Sequence, residues 1–152
     1  MIKRILNESR MEWEENILLF NSLNMQARVS EENTPQTLHE LNVRLSGLFD
    51  RVMPYYGRAR AYNDVLDRLI DRTIKVESEG KNEAERRANG INACRKFIVH
   101  YPDTDYETNL FDLRDQWSLY YEQLDSIVKS LRFKSDAKIT NNSLLSMESK
   151  LI

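Results

Sequence analysis

Leu38, Leu41, Leu45, Leu48 and Val52 are spaced three, four, three and four, and the count continues through Tyr55, Ala59, Tyr62, Leu66, Leu69, Thr73 and Val76 without a slip. Such spacing marks one face of a helix, yet Pro54 and Gly57 stand in its middle. A chain break has no reason to keep phase, so the pattern predicts one helix over residues 35–78, kinked near Pro54 and eased by Gly57. An interior proline costs about 3 kcal/mol and one backbone hydrogen bond. Packing of the seam on a partner is the expected compensation. At 1.5 Å per residue this helix would be about 65 Å long, more than a monomer of this size can cover, which points to self-assembly. The rival is a helical hairpin turning at Pro54–Gly57.

The remaining segments also read as helical. Residues 2–28 carry Leu6, Trp13, Ile17, Phe20 and Ala27 along one side, and Ser30-Glu31-Glu32-Asn33 reads as a linker. Thr34-Pro35 supplies a cap and a first-turn proline. Glu79-Gly80-Lys81 is a stop, and Asn82 with Glu85 restarts a helix whose seam runs through Ile91, Cys94, Ile98 and Tyr101 to Pro102. Thr104-Asp105-Tyr106-Glu107 reads as a capping box. The seam beyond it is the cleanest in the chain: Leu110, Leu113, Trp117, Tyr120, Leu124, Ile127 and Leu131. Sustained over three heptads, it argues for a coiled-coil oligomerisation seam. Asn141-Asn142 is expected to break that helix, leaving Leu144, Leu145, Met147 and Leu151 as an apolar tail.

Only four Gly and three Pro in 152 residues suit an all-helical protein. The expected fold is all-α, with elongated helices whose heptad seams are satisfied by oligomerisation. It forms a single domain: 1–33 as N-terminal helix and linker, 34–80 as the long helix, 81–102 as a helix, 103–135 as the coiled-coil helix and 136–152 as a basic and apolar tail. A formal charge of −2 gives no global basic field. The single Cys94 excludes an internal disulfide framework and suits a reducing cytosol. The N-terminus turns polar too early for a signal peptide, and no apolar run is long enough for a bilayer. A cytoplasmic protein is expected.

Charge is unevenly placed. Residues 103–125 hold seven acids against Arg114, whereas Lys129, Arg132, Lys134 and Lys138 face one acid, Asp136, across 129–138. Cations beside Phe133 are what a single-stranded nucleic-acid site needs, because cations track phosphates and the ring stacks a base. The bland alternative is that cations at a helix end complement its dipole. Arg58 and Arg60, flanked by Tyr55, Tyr56 and Tyr62, form a second such group, although Tyr55 and Tyr62 fall on the seam and read as packing. Arg86-Arg87 and Arg95-Lys96 are expected to pair with the acidic helix. Catalytic machinery is not expected. His39 and His100 lack metal-ligand spacing, His39 reading as a solvated first-turn residue and His100 as a helix C-terminal one. Cys94 sits on an apolar seam, and Gly47, Gly57, Gly80 and Gly90 make no phosphate loop. No cofactor, metal or small-molecule substrate is expected.

Asn109-Leu110-Phe111-Asp112-Leu113-Arg114, followed by the run from Tyr120-Tyr121-Glu122-Gln123-Leu124 through Lys129-Ser130-Leu131-Arg132-Phe133-Lys134 to Lys138-Ile139, resembles the C-terminal helix and basic tail of the UvsY-like recombination mediators of T-even-type phages. Tyr55-Tyr56-Gly57-Arg58 is loosely similar to the middle of that family. Glu79-Gly80-Lys81-Asn82-Glu83-Ala84-Glu85-Arg86-Arg87-Ala88 looks like small helical proteins of tailed-phage recombination clusters. The chain departs from the family in its long N-terminal region and in Phe133-Lys134, where the mediators have a glycine-aromatic step. The resemblance implies a ring-forming, non-enzymatic accessory that binds single-stranded DNA and helps a recombinase displace single-strand-binding protein. The alternative is a protein-only coiled-coil interaction module, a phage inhibitor or adaptor of a host protein, which the heptads explain without the basic clusters.

Overall fold

The structure, a computed structural model, describes residues 1–28, 32, 34–102 and 104–151. The linker read at 30–33 lies outside them apart from Glu32. In order along the chain come α1 (Ile2–Leu6), α2 (Arg10–Gln26), α3 (Pro35–Val76), α4 (Glu83–Lys96), β1 (Ile98–His100), β2 (Glu107–Asn109) and α5 (Leu110–Leu151). The fold is mainly helical, and no helix among the described residues is long and apolar enough to cross a membrane.

Helix α3 runs unbroken through Pro54, so the hairpin is not formed. Thr34 starts it, its hydroxyl accepting from Thr37 N at 3.2 Å while Thr34 N donates to Thr37 Oγ1 at 2.9 Å. Val52 and Ala59, on either side of the proline, are both fully buried, and that packing offsets the lost backbone bond. The seam departs from a strict heptad near its end. Ile70 is buried where Leu69 was expected, and Val76 is 68% exposed. A straight helix of 3.6 residues per turn drifts about 20° per heptad against a 3.5 repeat, and four heptads move the facing position by one residue.

Four other expectations are corrected. The first segment is two helices, because Ser9 caps α2 by accepting from Glu12 N at 3.3 Å. The segment after Gly80 is helical only to Lys96. Its expected seam residues Ile98 and Tyr101 belong instead to a β-hairpin, in which Val99 pairs with Thr108 and His100 with Glu107. β-branched and aromatic side chains in Phe97–Tyr101 favour the extended form. Thr104–Glu107 therefore lies at the hairpin turn and in β2, while α5 is capped by Asn109, whose Oδ1 accepts from Asp112 N at 2.9 Å and whose Nδ2 donates to Asp112 Oδ2 at 3.0 Å. Finally, α5 continues through Asn141-Asn142 to Leu151. Asparagine is only a moderate helix former, not a breaker, and the neighbouring Thr140 and Ser143 hydroxyls bond back to Asp136 O and Ile139 O.

The chain divides into two compact units, one of residues 1–13 and 58–121, the other of 14–57 and 122–152. In the first, an aromatic cluster forms the centre. Trp13 stands edge-on to Trp117 at 4.8 Å, Tyr62 edge-on to Trp117 at 4.9 Å, and Trp13 stacks on Tyr120 at 6.1 Å. In the second, Ile17, Phe20, Leu41, Leu48, Leu124 and Leu131 are buried. All seven residues of the α5 seam are buried within the single chain, none more than 3% exposed.

Candidate nucleic-acid interface

The basic positions of α5 are not equivalent. Lys129 Nζ lies 2.7 Å from Asp125 Oδ2 one turn earlier, and Tyr56 donates to Asp125 Oδ1 at 2.8 Å. These bonds, Lys129 first, hold the Asp125 carboxyl below its ordinary range. Lys134 turns toward α2, where its ammonium donates to the Asn24 backbone oxygen and, at 3.1 Å, to Asn24 Oδ1. Burial, with Arg28 nearby, lowers its pKa. Lys138 donates to Asn42 Oδ1 of α3. Arg132 and Phe133 remain exposed, Phe133 at 74%. Arg132 also lines a groove of about 430 Å³ with Asn42, Ser46, Asp50 and Asp136. The cluster thus retains at the surface an exposed aromatic beside an exposed arginine, with exposed Lys129 paired to Asp125.

Of the group around Pro54, Tyr55, Tyr56 and Arg58 are half-buried and Tyr62 is buried, and most are engaged. Arg58 pairs with Glu8 at 3.3 Å and covers the Trp13 ring at 5.2 Å. Tyr62 donates to Glu8 Oε1 at 2.7 Å, and Tyr55 accepts from Asn16 Nδ2 at 3.2 Å. Arg60 is exposed. Burial tends to raise the Glu8 pKa, but hydrogen bonds from Trp13 and Tyr62 with the charge of Arg58 outweigh it, and the carboxyl sits below its ordinary value. This hub was not anticipated. Its legible signal is Ser9-Arg10-Met11-Glu12, a capping box that opens a new helix and leaves Glu8 in the turn before it.

The expected pairing of Arg86, Arg87, Arg95 and Lys96 with the acidic helix does not form among the described residues. Three acids of α5 are satisfied close by: Asp112 by Asn109, Asp115 by Arg114 at 2.8 Å, and Asp125 by Lys129. Cys94 is fully buried, its thiol 3.8 Å from Ile70 O, and burial raises its pKa. His39 is exposed on α3. His100 is not at a helix end but on β1, 3.1 Å from Glu107 across the hairpin. Comparison with protein-family models, with curated proteins and with solved structures finds no match.

Proposed function

We propose that this chain is a non-enzymatic, single-stranded-DNA-binding accessory of phage-type recombination, acting as an oligomer beside a recombinase and a single-strand-binding protein in the host cytoplasm. The observation that carries the reading is the exposed pair Arg132 and Phe133 on α5. A guanidinium beside a solvent-facing ring supplies the phosphate contact and the stacking platform that a sequence-tolerant single-strand site combines. Lys129 adds a second positive charge within one turn, held by Asp125 until a phosphate competes for it.

Replacing Phe133 by Ala should weaken binding of a labelled oligonucleotide by about 1–3 kcal/mol, read by fluorescence anisotropy. Replacing Arg132 by Gln should also flatten the salt dependence. Unchanged affinity in both variants would leave the pair without a role in DNA binding.

A second reading, a protein-only interaction module, is favoured by a different observation. Met11, Leu18 and Met25 recur every seven residues on α2 and are 57–70% exposed, and Leu144, Met147 and Leu151 are exposed near the end of α5. Such stripes suit docking of another helix. Binding of a protein partner without any oligonucleotide binding would establish that reading instead.

A further inference from the structure

Close approach of α3 and α4 builds another cationic surface, wholly within the unit of residues 1–13 and 58–121. Gly90 of α4 lies so near α3 that a Cβ there would stand 2.7 Å from the Ile74 carbonyl oxygen. One turn later the Cys94 thiol meets Ile70 O. Beside this contact runs a groove of about 850 Å³, lined by Lys75 of α3, Arg86, Arg87 and Arg95 of α4, and Phe111 and Arg114 of α5. Arg114 is committed to Asp67 at 3.4 Å and Asp115 at 2.8 Å. Lys75, Arg86, Arg87 and Arg95 make no ion pair among the described residues, and the carboxylates lining the groove other than Asp115 are Asp71 and Glu83. With Arg114 and Asp115 set against each other, four cations line the groove against two carboxylates, an excess of two positive charges.

We propose that this groove binds the phosphate backbone of single-stranded nucleic acid. The choice of ligand rests on the function proposed above, whereas the site is independent of Arg132 and Phe133. From Arg86 to Arg95 the helix rises about 13 Å, the reach of several linked phosphates and not of one small anion. Three of the four cations are arginines, whose planar fork engages two phosphate oxygens at once. Ile70, Ile74, Ile91 and half-buried Phe111 give the walls an apolar component against which sugars and base faces can rest.

The test replaces Arg86, Arg87 and Arg95 together by Gln in the full chain. Binding of fluorescein-labelled oligothymidylate is measured by anisotropy between about 50 and 200 mM salt. The expected result is an affinity loss on the order of tenfold and a log–log salt slope shallower by about two, from roughly 0.7 per lost phosphate contact. A triple Lys variant should keep most of the slope. All three arginines are exposed, so both variants should melt like the parent in circular dichroism. If the parent binds and the Gln variant matches it in affinity and slope, the groove is overturned while the proposed function stands. Loss confined to Arg132→Gln and Phe133→Ala likewise overturns the groove and leaves the proposed function standing. No binding by the parent overturns both proposals. Competition by polyglutamate as strong as by oligonucleotide, at equal charge, assigns the groove to an acidic protein segment and overturns its nucleic-acid role.

Discussion

Glu8 shows how one side chain determines whether an aromatic cluster closes. Its carboxylate accepts from Trp13 Nε1 at 2.9 Å and from Tyr62 at 2.7 Å and pairs with Arg58, and it is only 19% exposed. Glu8→Ala leaves two donors without their acceptor, so the expected loss is about 2–3 kcal/mol, measured by urea unfolding at pH 7. The pH dependence has a definite sign. The folded carboxyl lies below the ordinary 4.5, so its stabilising effect is complete above that value and is lost as pH falls through the lower folded one. Parent and Glu8→Ala should therefore converge in stability on acidification. A gap that stays constant from pH 7 to strongly acid solution would contradict this role for Glu8.

At the scale of elements, Gly90 governs how α4 meets α3. In an exposed helix interior, Gly→Ala stabilises by up to about 1 kcal/mol. Here the added methyl meets Ile74 O, Cα and Cγ2 at 2.7–3.0 Å. Gly90→Ala should instead destabilise by about 2 kcal/mol, lowering Tm on the order of 5 °C. A raised Tm would mean that the two helices are not in close contact. This contact was not legible in the sequence, since Gly90 falls inside a helical pattern without marking what approaches it. The seams were legible because burial imposes a period: Leu38 to Leu66 and Leu110 to Leu131 occupy the expected faces. So were the start at Thr34 and the cap at Asn82, whose Oδ1 accepts from Glu85 N at 2.8 Å, although the Glu85 carboxylate reaches back to Lys81 N at 3.0 Å and not to Asn82 N. The hairpin at Ile98–Asn109 was missed because a few apolar residues fit a helical and an extended period equally well. Within the candidate interface, sequence marks which residues are cationic but not which are engaged. Lys134 and Lys138 look like Arg132 in a linear reading, and only the positions of Asn24 and Asn42 separate them.

For the whole molecule, a formal charge of −2 is compatible with DNA binding only if the cations are concentrated and the acids are occupied. Arg114, Asn109 and Lys129 occupy three acids of α5, while Lys75, Arg86, Arg87 and Arg95 share one groove. Self-assembly, expected from the heptads, must use other surfaces, because the α5 seam is already buried within one chain. Leu18 and Met25 of α2 are exposed apolar positions at heptad spacing. Light scattering should give a mass above the 18.0 kDa of the chain, falling in Leu18→Glu. A monomer at every concentration would contradict the oligomer. Whether the protein holds single-stranded DNA through phosphate contacts, as proposed, is decided by a titration. The parent is added to labelled single-stranded oligonucleotides of unrelated sequence at several salt concentrations, with duplex as competitor. Phosphate contacts predict similar affinities for all single strands and a linear fall of log affinity with log salt, and stacking of unpaired bases on Phe133 predicts weaker competition by duplex. Absence of binding at the lowest salt, or an affinity that salt does not change, would contradict it.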